Sequence, residues 1–408
     1  MKIGIGSFLL VVIYLLLSSA EVTARENEIR FMNMKVSPGL TCKLVYDDNI
    51  YLGNGSNSDS ELKEDDWINH LLFSFFLESP TNIRGSIRLG YQGDFANYTS
   101  NGHNDWNTQK GFFNLDYQAP GGLLAEINNI YTKTADPYSS DNEYKLGVPQ
   151  TRRWSNNLVS KLGYEFHYRL RIIGYLNYFE KDYSNIEDYT QDYKSEEFGV
   201  GIESRFLPRT WGFVRYYQGE RDYFSFPDDG TVTESNDSDF SWRKLNVGLS
   251  WDPKAKMQGE FNVGYMWKDY ENFSDINGDP YDDKQTWVAA SRVSLSVTSA
   301  TVLALSLTRA LRESGSNTNE YFSDTGVGIS LDQRLYTKVM LRISGIYNLN
   351  DYNTSRTDEV YRANIGIAYR IQDWLTFSMG YGYKSKVSNE KVYDYTDNQF
   401  MVMIKIGY

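Results

Sequence analysis

The last nine residues of the sequence carry apolar side chains at every second position. The apolar set is Phe400, Val402, Ile404, Ile406 and Tyr408. Because successive side chains of a β-strand point to opposite faces, this stretch predicts a strand with one wholly apolar face. Such a face must lie against lipid or against a core, and the final strand of a soluble β-sandwich is the alternative to a membrane strand.

An aromatic residue at the last position, preceded by this alternation, resembles the recognition signal of bacterial outer-membrane β-barrels. The resemblance implies that the same five side chains form part of the lipid-facing surface. It also implies that they are the assembly signal read by the barrel-assembly machinery.

The first residues have the organisation of a secretory signal. Lys2 precedes an apolar run at residues 3–17, and small residues surround Ala20 and Ala24. A basic start, a short apolar core and a small-x-small site predict a signal peptide cleaved after Ala20 or Ala24. The apolar run is shorter than the ~20 residues that a spanning helix needs. We therefore expect an exported protein.

Composition agrees with a barrel and argues against several other classes. Mean hydropathy is −0.52, yet the chain contains 33 Tyr, 21 Phe and 9 Trp. A barrel wall alternates lipid-facing and lumen-facing residues, so its average hydropathy stays low while aromatic girdles raise these counts. The net charge of −12 argues against a nucleic-acid-binding protein. Cys42 is the single cysteine, which excludes an intramolecular disulfide and a multi-cysteine metal site.

Short and long polar connections alternate along the chain. The short set is 79–82, 119–122, 166–168, 207–209, 253–256, 298–300, 332–336 and 372–373. The long set is 53–66, 97–108, 135–152, 183–192, 225–239 and 274–284, followed by shorter members at 315–319, 351–357 and 388–393. This is the pattern of short periplasmic turns and longer extracellular loops. It predicts about 18 strands, with 16 as the alternative and both termini in the periplasm.

Period-two alternation is clear within several of the intervening segments. Leu245, Val247, Leu249 and Trp251 alternate with Asn246, Gly248 and Ser250, for example. We expect the first set to face lipid and the second the lumen, because only a closed barrel satisfies all strand hydrogen bonds in a bilayer. The segments around 172–178 and 211–218 are apolar on both faces, so their inward sides stay unassigned. The predicted organisation is a signal peptide at 1–24 (or 1–20), a short periplasmic segment at 25–39 and a barrel at 40–408.

Several motifs resemble a known family. The opening strand at 39–51 contains Tyr46-Asp47-Asp48-Asn49, and Gly248-Leu249-Ser250-Trp251-Asp252-Pro253 precedes Gly264-Tyr265. These motifs are similar to the putative β-barrel porins that are often encoded with exopolysaccharide genes. The resemblance covers roughly residues 37–408 and implies an integral outer-membrane protein of a Gram-negative bacterium. Its motifs are structural, so it implies no catalytic residue.

Parity places a set of basic side chains inside the predicted barrel. The set is Arg84, Arg88, Lys161, Arg205, Lys244, Lys268, Arg292, Arg342, Arg362 and Lys405. Acidic residues on the same face include Asp94, Asp116, Glu126, Glu165, Glu203 and Glu260. One interpretation is a mixed-charge ladder that braces the wall; the other is a basic track that holds an anionic solute by short-lived ion pairs. Because the signs are mixed, we expect modest selectivity.

The predicted outer loops are acidic. Asp275, Asn277 and Asp279 place oxygen ligands at short spacing around a glycine, which suits Ca²⁺. The complete EF-hand spacing and its closing bidentate Glu are missing, so a solvated loop is the simpler interpretation. Beside anionic lipopolysaccharide, acidic loops would require divalent cations to bridge the like charges.

No arrangement of residues predicts catalysis. His70, His103 and His167 are the only histidines, and none has a triad or metal-ligand partner at motif spacing. Carboxylates from separate loops could still assemble a site, since such sites are spatial. We expect a channel that needs no cofactor and performs no covalent chemistry. By resemblance its cargo is exopolysaccharide or related saccharides, with polysaccharide secretion components as partners. A general diffusion porin and a structural or adhesive barrel are the alternatives.

Overall fold

A computed structural model describes residues 29–31, 34–55, 63–79, 85–135, 152–184, 192–223, 239–251, 256–273, 280–313 and 321–407. Nearly all of these residues are β-strand, and short 3-10 turns occur at Gly102–Asn104 and Lys391–Tyr393. Across the described ranges, no helix has the length and apolar character that crossing a membrane requires.

The strands follow one another in simple up-and-down order. Their bounds are β1 Ile29–Phe31, β2 Met34–Asp47, β3 Asp66–Glu78, β4 Gly85–Tyr98, β5 Trp106–Gln118, β6 Leu123–Ala135, β7 Arg152–Phe166, β8 Leu170–Tyr183, β9 Tyr193–Leu207, β10 Thr210–Tyr223, β11 Phe240–Trp251, β12 Met257–Tyr270, β13 Lys284–Ser296, β14 Thr301–Glu313, β15 Tyr321–Tyr336, β16 Val339–Tyr352, β17 Thr357–Gln372, β18 Leu375–Ser388 and β19 Tyr395–Gly407.

Each strand from β2 to β18 pairs antiparallel with the next, and β19 pairs back onto β2. The closing register runs from Gln399 opposite Asp47 to Gly407 opposite Gly39. The result is a closed barrel of 18 strands, β2–β19. The expected count of about 18 is confirmed and the alternative of 16 is wrong. β1 is a three-residue strand that pairs with the start of β2.

The outward face is apolar because alternate positions line up across neighbouring strands. Leu245 lies opposite Tyr265, and Tyr265 lies opposite Trp287, so the three share one face. They are 42%, 41% and 48% exposed. An apolar face this large that remains exposed in the folded barrel is the surface that lipid covers.

Turns of a few residues form one rim, together with the start of β2 and the end of β19. The turn after β7 is of type I′, because His167 and Tyr168 have positive φ values of 49° and 58° and the Arg169 amide donates to the Phe166 carbonyl. The predicted turn at 332–336 is wrong, since β15 continues to Tyr336. The polar residues at this end of β15 have the composition of a turn. They lie in a strand, where Asp332 is on the inward face.

The barrel also begins earlier than position 40. β2 starts at Met34 and pairs with β3 from Lys35 onwards. Residues 34–39 of the segment expected at 25–39 are therefore barrel strand. The residues of the predicted signal peptide lie outside the described ranges.

Candidate lumen-lining site

A network of ion pairs and stacked rings, which we call the inner ladder, covers the inward face of β7–β14. From the periplasmic to the extracellular end its charged members are Glu165, Arg171, Arg205, Glu203, Arg215, Glu260, Glu197, Lys244, Arg221, Lys268 and Glu313. The neighbouring positions on each strand carry the exposed apolar belt. Strand alternation therefore puts the members on β7–β12 in the lumen, and Glu313 of β14 joins them through its contact with Lys268.

At the periplasmic end, Trp211 lies between two guanidinium groups. The guanidinium carbon of Arg171 is 3.7 Å from its ring centroid and that of Arg205 is 4.4 Å away. Trp211 is 1% exposed. Arg171 also contacts Glu165 at 2.7 Å, so its charge is shared between a carboxylate and a ring face.

Arg215 is the central member of the ladder. Its Nη2 donates to Glu203 at 2.7 Å, and its Nη1 donates to both oxygens of Glu260 at 2.9 Å. The guanidinium carbon also lies 3.6 Å from the Phe213 ring centroid. Glu260 belongs to β12, two strands away from β10. The contact therefore ties three strands together across β11.

The extracellular end of the ladder repeats this combination. Lys244 contacts Glu197 at 3.0 Å, and the Trp242 indole N–H donates to the same carboxylate at 2.8 Å. Lys268 is 2% exposed, pairs with Glu313 and lies 3.8 Å from the Phe240 ring centroid. Each of these cations is held by a carboxylate and a ring. The ladder therefore braces the wall and is not a row of mobile charges.

The predicted basic residues divide into groups. Arg205, Lys244 and Lys268 belong to the inner ladder, and Lys161 contacts Glu126 at 2.9 Å beside it. Arg362 donates to Asn348 at 3.3 Å. Four further described residues are exposed and lie near the periplasmic ends of their strands, β4, β13, β16 and β19. We call this set, Arg88, Arg292, Arg342 and Lys405, the periplasmic basic group. Arg84 lies outside the described residues.

Arg342 represents the periplasmic basic group best. Its Nε and Nη2 donate to the two oxygens of Asp332 at 2.6 and 3.1 Å, yet its side chain is 69% exposed. An exposed ion pair of this kind exchanges partners easily because water screens the attraction. Arg342 can therefore contact a solute in the lumen, unlike Arg215, whose side chain is 13% exposed.

Sequence reasoning missed Arg171, Arg215 and Arg221. They lie in β8 and β10, the two strands whose faces both read as apolar. Tyr175, Phe213 and Tyr217 are aromatic residues of the inward face, where they pack against guanidinium groups and carboxylates. Arg215 lies at the same parity as Phe213 and Tyr217 on β10. This shared parity of a charged residue and two aromatic residues was the available signal.

Packing inside the barrel is tighter towards the extracellular end. Val45, Ile68 and Ala96 form an inward cluster near the ends of β2, β3 and β4, with 1–6% exposure. On the other side, Phe322 and Val360 are each 2% exposed. Inward side chains at the extracellular ends of these strands are therefore closely packed against their neighbours.

Three carboxylates meet where β19 closes onto β2. One oxygen each of Asp47, Asp48 and Asp397 lies within 4.8 Å of the others. Gln399 donates to Asp47 at 2.9 Å and to Asp397 at 3.2 Å. The cluster lies above the apolar belt, because the outward neighbours of Asp397 are polar.

Burial and the adjacent Asp47 raise the pKa of Asp397 to about 8. Burial also acts to raise the pKa of Asp48, but hydrogen bonds from Asn398 outweigh it and hold that pKa below its ordinary value. Burial and the proximity of the two carboxylates therefore raise the pKa of both Asp47 and Asp397, which favours a proton shared by the pair. The predicted calcium ligands Asp275, Asn277 and Asp279 lie outside the described residues.

The C-terminal strand has the expected face. Phe400, Ile404 and Ile406 are exposed on the outward side, and β19 pairs with both β18 and β2. Val402 lies on the same face by alternation. Tyr408 falls outside the described residues. The role of this strand in assembly stays a prediction.

The three histidines do not meet. His70 Nδ1 lies 3.0 Å from Asp94, His103 Nε2 lies 3.3 Å from the Tyr51 hydroxyl, and His167 occupies a periplasmic turn. His70 is buried beside Trp106. Within the described residues these contacts complete no nucleophile–histidine–carboxylate arrangement.

Comparison of the sequence with protein families gives one match, which spans residues 33–408. The matching family is described as putative beta-barrel porin 2. The chain belongs to this porin family. The match covers the complete barrel and identifies the protein as an outer-membrane porin, a channel-forming class of protein. No curated protein matches the sequence.

Solved structures similar to the porin have low sequence identity. OpdK from Pseudomonas aeruginosa is 11% identical over 91% of this chain and 99% of its own, with a TM-score of 0.46. A BenF-like porin from Pseudomonas fluorescens is 10% identical over the same shares, with a TM-score of 0.47. OccAB4 from Acinetobacter baumannii is 9% identical over 91% and 98%, with a TM-score of 0.45.

Proposed function

We propose that the porin passes small anionic solutes, acidic saccharides among them, by diffusion through its lumen. The observation that carries this proposal is the periplasmic basic group. Arg88, Arg292, Arg342 and Lys405 are exposed on the inward face near one mouth, where a dissolved anion can meet them. Guanidinium groups bind carboxylates in a planar, two-point geometry that ammonium groups do not offer.

The inner ladder supports a modest preference for anions over cations and not a strict selectivity. Arg215, Lys244 and Lys268 are already paired with Glu203, Glu260, Glu197 and Glu313, so these three cations add little net field to the pore. A strongly selective pore needs one sign of charge to dominate. Anions should therefore pass more readily than cations, but both should pass.

The packing favours small saccharides over a complete polysaccharide chain. A polymer needs a wide path along the whole lumen, whereas inward side chains such as Phe322 and Val360 are buried in the extracellular half. Export of intact exopolysaccharide, the cargo suggested by resemblance, is therefore less favoured than passage of its acidic monomers or short oligomers.

Liposome swelling tests this proposal. Vesicles containing the porin should swell faster in glucuronate than in glucose, which is similar in size and uncharged. Equal swelling rates would show that the basic group has no effect on passage. No swelling in either sugar would contradict the channel and favour a structural barrel.

A further inference from the structure

The extracellular ends of β14 and β15 leave the line of the barrel wall. β14 stays paired with β15 up to Glu313, but within the described ranges its pairing with β13 ends at Arg309 opposite Ala289. β13 in turn stays paired with β12 up to Lys284. The upper ends of β13 and β14 therefore separate while each keeps its other neighbour. We call the ends of β14 and β15, residues 310–313 and 321–324, the folded end.

Two side chains show where the folded end lies. Glu313 and Tyr321 are opposite each other and continue the alternation that places Leu305 on the outer face, where it is 52% exposed. Yet Glu313 contacts the Nζ of Lys268, and the Tyr270 hydroxyl donates to Glu313 at 3.2 Å. Both partners are inward-facing residues of β12, and β13 lies between β12 and β14. The outer face of the folded end therefore covers the inner face of β12 and β13.

The burial of these residues agrees with that position. Lys268 is 2% exposed although it points into the lumen, and Tyr321 is 7% exposed although its alternation predicts the lipid face. The Nζ atoms of Lys268 and Lys284 lie 5.7 and 5.8 Å from the Tyr321 ring centroid. On the opposite side of the folded end, the Arg312 side chain is 52% exposed. The folded end is therefore a second layer inside the wall and occupies part of the extracellular mouth.

The sequence also fits a second position, in which the pairing of β13 with β14 continues upwards. Extending the register brings Ala310 opposite Val288 and Leu311 opposite Trp287. Leu311 would then lie beside Trp287 on the lipid face, which suits both apolar side chains. The change exchanges the contacts of Glu313 for backbone hydrogen bonds between two strands. A ligand that interacts differently with two such arrangements shifts the balance between them.

We propose that the folded end is a gate in the extracellular mouth, latched by Glu313, and that an anionic solute opens it by placing its own carboxylate on Lys268 and Tyr270. The identity of the opening solute rests on the proposed function; the gate itself does not. An ammonium group and a phenol hydroxyl hold the Glu313 carboxylate, and the carboxylate of an acidic sugar offers them the same acceptor oxygens. The Phe240 ring, 3.8 Å from the Lys268 Nζ, keeps the ammonium group in place for either partner.

A disulfide across the two strands tests the gate. Val288→Cys with Ala310→Cys, in a Cys42→Ser background, places two thiols within bonding distance only when the pairing of β13 with β14 is extended. Oxidation should hold the channel at its upper conductance level in KCl, and reduction should restore closures to a lower level. Ser294→Cys with Ala304→Cys is the control, because these residues are already opposite each other and their disulfide should leave both levels unchanged. A test pair that stays reduced while the control pair oxidises, or closures that persist after oxidation, would overturn the gate.

Glu313→Gln tests the latch and its release. The variant should lose the lower conductance level in KCl, whereas Asp269→Asn, which removes an outward carboxylate of β12, should close like the wild type. Extracellular glucuronate should raise the occupancy of the upper level in the wild type and have no effect on Glu313→Gln. Unchanged closures in Glu313→Gln would contradict the latch, and an equal response to glucose would contradict exchange of carboxylates.

These measurements fail separately from the proposed function. Closures are read in KCl and do not depend on how fast vesicles swell in glucuronate, so equal swelling in the two sugars leaves the gate standing. Should Glu313→Gln fail to fold, the disulfide across β13 and β14 decides alone.

Discussion

The Nη1 atom of Arg215 lies 2.9 Å from both carboxylate oxygens of Glu260, which belongs to a strand two positions away. The contact crosses β11 on the lumen side and joins β10 to β12. Arg215 bonds Glu203 on β9 as well, so a single guanidinium connects three strands, β9, β10 and β12. This arrangement stiffens one side of the wall and leaves the exposed cations of the periplasmic basic group for solutes.

Arg215→Ala should destabilise the barrel. It leaves Glu203, which is 4% exposed, as a buried carboxylate without its principal cation. Breaking a buried pair by removing one partner costs about 3–5 kcal/mol. We expect a lower denaturant midpoint and less of the heat-modifiable folded band. The control is Arg243→Ala on β11, whose exposed pair with Asp269 should contribute about 0–1 kcal/mol. Equal effects of the two substitutions would show that the ladder does not stabilise the wall.

Stability should depend on pH through Asp397. The folded barrel holds its pKa at about 8, against an ordinary value of 3.8. Between these values the folded state keeps a proton that the unfolded chain releases, so stability falls as pH rises from about 4 to 8 and then levels off. Asp397→Asn should show a smaller decline. The measurement is the unfolding midpoint of wild type and Asp397→Asn at pH 5 and pH 9 in one detergent. An equal change in midpoint between the two pH values for both proteins would contradict a proton shared by Asp47 and Asp397.

Assembly should depend on the outward face of β19. Ile404→Asp puts a carboxylate on the lipid side, where an acidic residue costs on the order of a few kcal/mol or less. Deletion of Tyr408 removes the terminal aromatic residue. Both variants should reduce the folded, heat-modifiable form. Met403→Asp is the matched control, because it introduces the same group at the adjacent lumen-facing position. Normal assembly of Ile404→Asp and of the truncated chain would remove the recognition role of this strand.

Alternation predicted most of the barrel because it is a local property. Leu245, Val247 and Leu249 each face lipid independently of what lies opposite, so parity alone assigned β11. β8 and β10 could not be assigned, because aromatic residues on their inner faces look lipid-facing in a sequence. Tyr175 and Phe213 are in fact ring partners of Arg215.

Long-range pairings were beyond the reach of the sequence. The contact between Arg215 and Glu260 depends on the register of three strands and on which side chain can cross β11. The end of the β13–β14 pairing, at Ala289 opposite Arg309, depends on where the two strands separate. Neither is encoded in a local pattern. The sequence analysis therefore placed Lys244 and Lys268 on the inward face, but it could not tell braced cations from exposed ones.

Ion preference in planar bilayers tests the central claim most directly, since the claim is that exposed inward arginines favour anions. The double variant Arg342→Ser with Arg292→Ser removes two cations of the periplasmic basic group and releases Asp332 from its ion pair. The attraction between one such arginine and a passing anion, screened by water and salt, is worth about 1 kcal/mol. In a KCl gradient the wild-type reversal potential should indicate modest anion preference, and the variant should shift towards cations, whereas Arg243→Ser on the outer face should not. An unchanged reversal potential in the double variant would contradict the account and show that these arginines only brace the wall.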